Sequence, residues 1–191
     1  MYYDKWCSGI ERWRFKFERC DRQKHKSHCH TKYSDSYMPW SILKEKLTEH
    51  FTLGEMTKTS YKTKDGNIPS HVAIENLKRL CGWLEMLRSE YNKRYTVKEE
   101  PIIINSGYRS WEVNKRVGGS STSNHLVGCA ADIKCYGKEQ ALRYAVILLD
   151  IADESREDFD ELIIEVRGSR VWVHFAVRPK GNRRKILFDI K

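Results

Sequence analysis

The strongest constraint on the fold is a stretch near the C-terminus, in which apolar residues alternate with mixed ones on both sides of Gly168-Ser169. Alternation with a period of two is typical of half-buried strands, and a two-residue turn fixes how the strands pair. This turn predicts four cross-strand pairs: Arg167 with Arg170, Glu165 with Trp172, Ile163 with His174, and Glu161 with Ala176. One face of the predicted hairpin is then entirely apolar and has to pack on helices.

The opposite face of the hairpin carries residues that can do chemistry. His174 lies on this face, and Glu161 and Glu165 are its diagonal neighbours on the adjacent strand. Diagonal neighbours are about 7–8 Å apart by backbone spacing and closer at the tips of long side chains. A histidine flanked by two carboxylates on one sheet face predicts a functional site.

Other segments predict the helices that cover the apolar face. A long apolar stripe with helical spacing begins after Ser70 and reaches Tyr91, and residues 137–152 repeat the pattern. Ser41 opens a shorter predicted helix that includes Leu47. Short strands are predicted at 101–104 and 130–133. A small antiparallel sheet packed on helices defines an α+β fold.

Three polar residues lie inside or next to the predicted strands, and their positions need an explanation. Asp132 lies inside an apolar strand, where a carboxylate is costly unless it is hydrogen-bonded, paired or bound to a metal. His125 lies in the loop that enters this strand, and Arg109 follows the buried isoleucine run. Taken singly, each residue has a simpler explanation. Asp132 could be bonded to backbone amides, His125 could be a surface histidine, and Arg109 could be half of an ion pair.

Taken together, these residues belong to motifs that resemble the zinc D-alanyl-D-alanine carboxypeptidase family, which includes phage endolysins and shares its fold with the hedgehog signalling domain. The likeness runs from about residue 47 to about residue 177 and leaves both ends of the chain outside. The motifs, in chain order, are Ser106-Gly107-Tyr108-Arg109-Ser110, Val117-Gly118-Gly119-Ser120, Ser123-x-His125-x-x-Gly128-x-Ala130-x-Asp132 and Trp172-Val173-His174.

The resemblance implies a hedgehog/DD-peptidase-like fold and one catalytic zinc ion, with His125, Asp132 and His174 as its ligands. Three protein ligands leave the fourth tetrahedral position for water, as hydrolytic zinc sites require. By the same resemblance, Arg109 binds the substrate carboxylate or stabilises the developing oxyanion. Further contacts to the substrate are expected from Tyr108, Ser123 and Trp172.

The general base is where this sequence departs from better-known family members. Some members place a glutamate three residues before the last ligand, where this chain has Val171, and others place a histidine two residues before it, where this chain has Trp172. The predicted hairpin offers Glu165 and Glu161 instead. Glu165 is the first choice, because related members carry a glutamate on the preceding strand, and Glu161 is the second.

The net charge of +9 lies in the two ends of the chain. Residues 1–40 carry +4, residues 41–166 carry −2 and residues 167–191 carry +7. A basic tail is a weaker indication of nucleic-acid binding than a basic folded face, so we expect no nucleic-acid partner. The basic ends would suit an anionic cell wall.

The expected organisation has three parts. Residues 1–40 form a basic extension rich in aromatic residues, cysteine and histidine, part of which is predicted to be disordered; residues 41–179 form the zinc peptidase domain, and residues 180–191 form a basic C-terminal tail. The extension contains Cys20, His25, His28, Cys29 and His30, which could bind a structural zinc ion, although no paired C-x2-C motif is present. We expect a monomer.

The sequence leads to two alternative functions. The first is zinc-dependent hydrolysis of peptidoglycan stem peptides, by a carboxypeptidase or an endopeptidase. The second is a zinc-bound but non-catalytic module that binds the cell wall or acts as a scaffold. No secretory signal or membrane span is predicted, so we expect synthesis in the cytoplasm and action at the cell wall or periplasm after release or export, as in a phage or prophage lysis enzyme.

Overall fold

A computed structural model describes residues 44–191 of the chain. The predicted extension 1–40, its Cys/His cluster and the beginning of the predicted helix at Ser41 lie outside the described residues. Within 44–191, no helix combines the length and the apolar character needed to span a membrane. The elements in chain order are α1 Leu53–Met56, α2 His71–Tyr95, β1 Ile104–Ser106, α3 Trp111–Arg116, a 3-10 helix at Asn124–Val127, β2 Ala130–Cys135, α4 Lys138–Ser155, β3 Glu161–Arg167, β4 Arg170–Ala176 and β5 Lys185–Ile190.

The five strands form one sheet in the order β1-β2-β4-β3-β5. The pairs β1–β2, β2–β4 and β4–β3 are antiparallel, and β5 is parallel to β3. All four cross-strand pairs predicted from the Gly168-Ser169 turn are present in the β3–β4 register. The prediction of the hairpin, and with it of which residues share a face, is confirmed.

One face of the sheet is covered by α2 and α4, which form the hydrophobic core with it. Helix α2 begins after Ser70, whose side chain accepts a hydrogen bond from the amide of Ala73. The rings of Trp83 on α2 and Phe175 on β4 have centroids 5.4 Å apart, and both side chains are buried. This arrangement of helices on one face of a mostly antiparallel sheet confirms the predicted α+β class.

The prediction of a short helix from Ser41 through Leu47 is wrong for its described part, because residues 44–47 are not helical. Lys46 instead forms an isolated bridge with Thr52, and the amide of Leu47 donates to the carbonyl of Phe51 at 2.9 Å. The first described helix is α1, which begins after Thr52 because the Thr52 hydroxyl accepts a hydrogen bond from the amide of Glu55. A turn closed by the Phe51 carbonyl therefore replaces the described part of the predicted helix, and α1 is a separate helix capped by Thr52.

Part of the predicted basic C-terminal tail is a strand. Residues 185–190 form β5, which pairs with residues 161–166 of β3, and the amide of Lys191 donates to the carbonyl of Val166 at 3.0 Å. Apolar side chains of β5 are largely exposed, Phe188 to 63% and Ile190 to 64%. The strand has no buried face that would give the period-two alternation, so its sequence does not predict it.

Gly128 is required where the 3-10 helix approaches α2. Its φ of +71° lies in the left-handed region, and a Cβ atom built on it would be 2.4 Å from the backbone oxygen of Ala73. Gly82, in the middle of α2, has ordinary helical geometry and nothing within 4 Å of the same test atom. Adding a methyl group is therefore expected to destabilise the fold at Gly128, where it would clash, but not at Gly82.

We expect Gly128→Ala to lower the free energy of unfolding by at least about 1–2 kcal/mol, because the left-handed backbone alone costs that much in a residue with a Cβ atom. The control Gly82→Ala is expected to raise it by about 0.5–1 kcal/mol, since alanine is the better helix former. Urea denaturation followed by circular dichroism measures both changes. Equal stabilities for the two variants would contradict this account.

Candidate active site

The three predicted metal ligands are brought together by two central strands and the 3-10 helix. Asp132 on β2 lies directly across from His174 on β4. His125 lies in the 3-10 helix, whose N-cap is Ser123; the Ser123 hydroxyl accepts a hydrogen bond from the amide of His125 at 3.3 Å. The amide of Arg109 also donates to the carbonyl of His125 at 3.1 Å. His125 is therefore held in place by hydrogen bonds to its own backbone amide and carbonyl.

The donor atoms of these three residues lie close enough to share one ion. Within residues 44–191, one atom from each side chain lies within 4.8 Å of the other two, and all three residues are buried. Oδ1 of Asp132 is 2.9 Å from Nδ1 of His174 and 3.3 Å from Nε2 of His125. The two histidine nitrogens are 3.3 Å apart. These three atoms surround a common point.

The outer nitrogen of each histidine ring is occupied by a second partner. Nδ1 of His125 lies 2.6 Å from the carbonyl oxygen of Gly107, so this nitrogen carries the proton and Nε2 keeps its lone pair. Nε2 of His174 lies 3.5 Å from Oε2 of Glu161, which leaves Nδ1 facing Asp132. Histidines that bind metals are oriented by such outer hydrogen bonds. Two imidazoles and a carboxylate form a donor set that fits a catalytic zinc ion.

The electrostatics of the cluster favour binding of a cation. Burial lowers the pKa of His125, which keeps its ring in the neutral form that binds metals. Burial alone would raise the pKa of Asp132, but His125 and His174 outweigh it and hold this pKa well below its usual range. Burial also opposes the charge on His174, yet hydrogen bonds to Asp132 and Glu161 raise its pKa to about 9. A metal ion held by His125, Asp132 and His174 would take the place of the proton on His174.

Arg109 lies beside Asp132. Its Nε donates to Oγ of Ser106 at 2.7 Å, and its Nη2 donates to the carboxylate of Asp132. Ser106 ends β1, so the guanidinium is held from the edge of the sheet. Arg109 thus neutralises part of the charge on Asp132 and still faces the cavity described next.

A cavity of about 320 Å³ opens over the three candidate ligands. It is lined by these ligands, by Val117 and by four residues predicted to act on the substrate: Arg109, Ser123, Glu165 and Trp172. Tyr108 is not among the lining residues. Its half-buried side chain packs against the hydrophobic core, and its amide donates to the carbonyl of Met56 at 2.7 Å.

The two candidate bases lie on the same sheet face but in different surroundings. Glu165 lines the cavity, with its carboxylate 3.4 Å from the guanidinium of Arg167. Glu161 lies on the other side of His174, where it also contacts Arg183 at 2.9 Å. The hydrogen bond with His174, aided by nearby positive charge, lowers the pKa of Glu161 to about 2. Glu161 is therefore a negatively charged residue that is held against the outer side of His174, whereas Glu165 lines the cavity over the three candidate ligands.

Sequence reasoning missed a buried ionic network that supports this region. Asp160 is fully buried, and its carboxylate accepts hydrogen bonds from Arg183 at 2.8 Å and from the Asn124 amide at 2.7 Å; Arg178 lies 3.0 Å away. The same Asn124 amide donates to Glu161 at 3.0 Å. The sequence signal for this network was Asp160 next to the apolar Phe159, with an excess of arginines later in the chain.

A fold of this class with a two-histidine, one-carboxylate cluster in a cavity defines a candidate metallohydrolase. The family model of peptidase M15 matches residues 49–170, which include His125 and Asp132. This chain belongs to the peptidase M15 family. The family resemblance inferred from the sequence motifs is therefore confirmed.

Two individual proteins are similar to parts of the chain. The zinc D-Ala-D-Ala carboxypeptidase of Streptomyces albus G is 30% identical over 84 residues, which span 44% of this chain and 31% of that protein. The L-Ala D-Glu endopeptidase ChiX of Serratia marcescens has a solved structure that matches 56% of this chain and 87% of its own, with 22% identity and a TM-score of 0.34. Less than a third of the Streptomyces protein is thus represented here.

We expect His125→Ala and His174→Ala each to lose about one zinc ion per chain, because a site of three protein ligands does not hold zinc with two. Glu165→Gln is the matched control and is expected to keep its zinc, since Glu165 is not among the three clustered donors. Elemental analysis of the purified variants gives the metal content, and circular dichroism checks that they fold. Unchanged zinc in both alanine variants would rule out this ligand set.

We expect Asp160→Asn to lower the free energy of unfolding at pH 7 by about 2 kcal/mol, because charged hydrogen bonds to a buried carboxylate are lost. Burial would raise the pKa of Asp160, but the hydrogen bonds from Arg183 and Asn124 outweigh it and lower this pKa. The contribution is therefore present above about pH 4, the ordinary range of aspartate, and is lost as the pH falls through the lower folded value.

Urea titrations of the Asp160→Asn variant between about pH 3 and pH 7 test this linkage. The difference in stability from the unaltered protein should shrink towards the acid end. The control is Asp150→Asn, which breaks an exposed pair with Arg94 and should cost less than about 1 kcal/mol. A difference for Asp160→Asn that stays constant with pH would show that the carboxylate charge is not responsible.

Proposed function

We propose that this protein hydrolyses a peptide bond of peptidoglycan as a zinc-dependent carboxypeptidase or endopeptidase. The observation that carries the proposal is the position of the Glu165 carboxylate, which lines the same cavity as the clustered donors of His125, Asp132 and His174 and has Arg167 as its ion-pair partner at 3.4 Å. Zinc, when bound by these residues, supplies Lewis-acid activation of water and of the scissile carbonyl. One catalytic ion per chain is part of the proposal.

Glu165 is the general base in this proposal. Its carboxylate takes a proton from the attacking water and returns it to the leaving amine, as a carboxylate placed over the reacting atoms can do. Trp172, its cross-strand partner, lines the same cavity next to it.

Arg109 is proposed to act on the negatively charged part of the substrate or of the transition state. Its permanent charge suits an anion, and its position is set by Ser106 and Asp132. Ser123 lines the same cavity and is proposed to hydrogen-bond the substrate. Tyr108 is better placed to hold the loop against the core than to contact the substrate directly.

Glu161 is proposed as a positioning residue. Its contact with Nε2 of His174 fixes the ring so that Nδ1 faces the other ligands. Its own position is set by Arg183 and Asn124, so the buried Asp160 network acts on the ligand through Glu161. This assigns different roles to the two glutamates that the sequence presented as alternative bases.

The proposed place of action is the cell wall, where an endolysin of a phage or prophage would work as a monomer after release. The substrate would be the stem peptide, and the basic residues of the two ends would favour an anionic wall.

Incubation of the protein with purified peptidoglycan, followed by mass spectrometry of the products, tests the proposal. We expect peptide products that disappear when zinc is removed by a chelator and return when it is restored. Glu165→Gln should lower kcat by about 10²–10⁴-fold, the usual contribution of a general base, while zinc is retained. Glu161→Gln should have a smaller effect, because the residue acts through His174.

The outcome also separates the enzyme from the alternative module. Absence of any chelator-sensitive product, together with wall binding by the zinc-loaded protein, would favour the non-catalytic module. Full turnover in the Glu165→Gln variant would contradict the assignment of the base, and a larger loss in Glu161→Gln than in Glu165→Gln would reverse the two roles.

A further inference from the structure

A second, larger cavity adjoins the proposed catalytic site on the same face of the sheet. Its volume is about 630 Å³, and it shares Asp132 and Trp172 with the first cavity. From there it extends along β2 and β4 to Ser169 and Arg170 at the turn of the β3–β4 hairpin. Anything bound at the metal site could therefore continue directly into this groove.

Two cations line the groove, and the sheet register explains why both face it. Lys134 lies two residues after Asp132 on β2 and directly across from Trp172 on β4. Arg170 lies two residues before Trp172 on β4. Side chains two residues apart on a strand share a face, so both cations point to the same side as the metal ligands. Lys134 thus lies beside Trp172 on the neighbouring strand, and Arg170 lies two residues further along β4 toward the turn.

These two cations differ from the other cations on this face because they have no acidic partner. Arg109 is paired with Asp132, and Arg167 is paired with Glu165 and Asp189. Within residues 44–191, no carboxylate lies within ion-pair distance of Lys134 or Arg170; the half-buried Lys134 ammonium lies over the ring of Tyr136, 4.6 Å from its centroid. The Lys134 ammonium is therefore a partly desolvated cation without a counterion, and the exposed Arg170 adds a second positive charge; together they attract an anion into the groove.

We propose that Lys134 and Arg170 form a specificity subsite for a substrate residue that carries a free carboxylate and lies in the groove beyond the metal site. This inference rests on the proposed function, because it names the class of peptide that the same site would take: an acidic peptide in preference to its amidated form. The ammonium of Lys134 and the guanidinium of Arg170 would bind the carboxylate, and the ring of Trp172 next to them would pack on the peptide. Neither residue takes part in the chemical step.

The test measures binding separately from hydrolysis. The probes are two synthetic pentapeptides, L-Ala-γ-D-Glu-L-Lys-D-Ala-D-Ala and the same peptide with the α-carboxylate of D-Glu converted to the amide. Calorimetry with the zinc-loaded Glu165→Gln protein gives the Kd of each. We expect the acidic peptide to bind about tenfold more tightly, as one charged hydrogen bond supplies, and we expect the preference to weaken with added salt.

Substitutions in the groove assign this preference to its residues. Lys134→Gln and Arg170→Gln should each reduce the preference, and the double variant should abolish it, while Lys134→Arg should retain most of it. The matched control is Lys98→Gln, an exposed lysine outside the groove, which should leave both Kd values unchanged. In the background that retains Glu165, the groove variants should raise KM for the acidic peptide with little change in kcat.

The results distinguish this inference from the proposed function. Preference for the acidic peptide without hydrolysis by the unaltered protein would support the subsite and contradict the peptidase. Hydrolysis with equal Kd values for the two peptides would support the peptidase and overturn the subsite. A preference that persists in the double variant would also overturn it, because the carboxylate would then be bound elsewhere, for example by Arg109.

Discussion

The site depends on one buried carboxylate in the centre of the sheet. Asp132 lies on β2, and its oxygens contact His125, His174 and the guanidinium of Arg109. A carboxylate at this depth is unfavourable unless positive charge surrounds it, so the residue constrains all of its neighbours at once. The loop that carries Arg109, the 3-10 helix and β4 have to converge on it. The same demand for positive charge makes the cluster suitable for a metal ion.

Much of this architecture could be predicted from the sequence, because the informative parts have a buried face. The β3–β4 register followed from the two-residue turn and from the alternation that places Leu162, Val173 and Phe175 in the core. The long helix after Ser70 followed from its apolar stripe and its capping residue. The ligands could be proposed because the order and spacing of their motifs resemble one family, whereas each residue alone fitted a simpler explanation.

The parts that escaped prediction lack such a pattern. Strand β5 is exposed on both faces, so burial imposes no alternation on it. The helix expected through Leu47 loses to a local turn in which Phe51 accepts backbone hydrogen bonds. The register placed Glu161 and Glu165 on one face with His174 but could not decide which carboxylate faces the cavity. That distinction depends on Arg183 and Asn124, which come from distant parts of the chain.

The central position of β2 has a dynamic consequence. Its backbone is hydrogen-bonded to β1 on one side and to β4 on the other, and β4 is in turn paired with β3. Opening at Asp132 therefore requires the loss of two ladders, and amides of this kind exchange with solvent only when most of the domain unfolds. The relative positions of Asp132 and His174 thus persist for as long as the sheet itself. A metal ion would therefore bind to side chains that are already ordered, so that little of its affinity is lost to the entropy of ordering them.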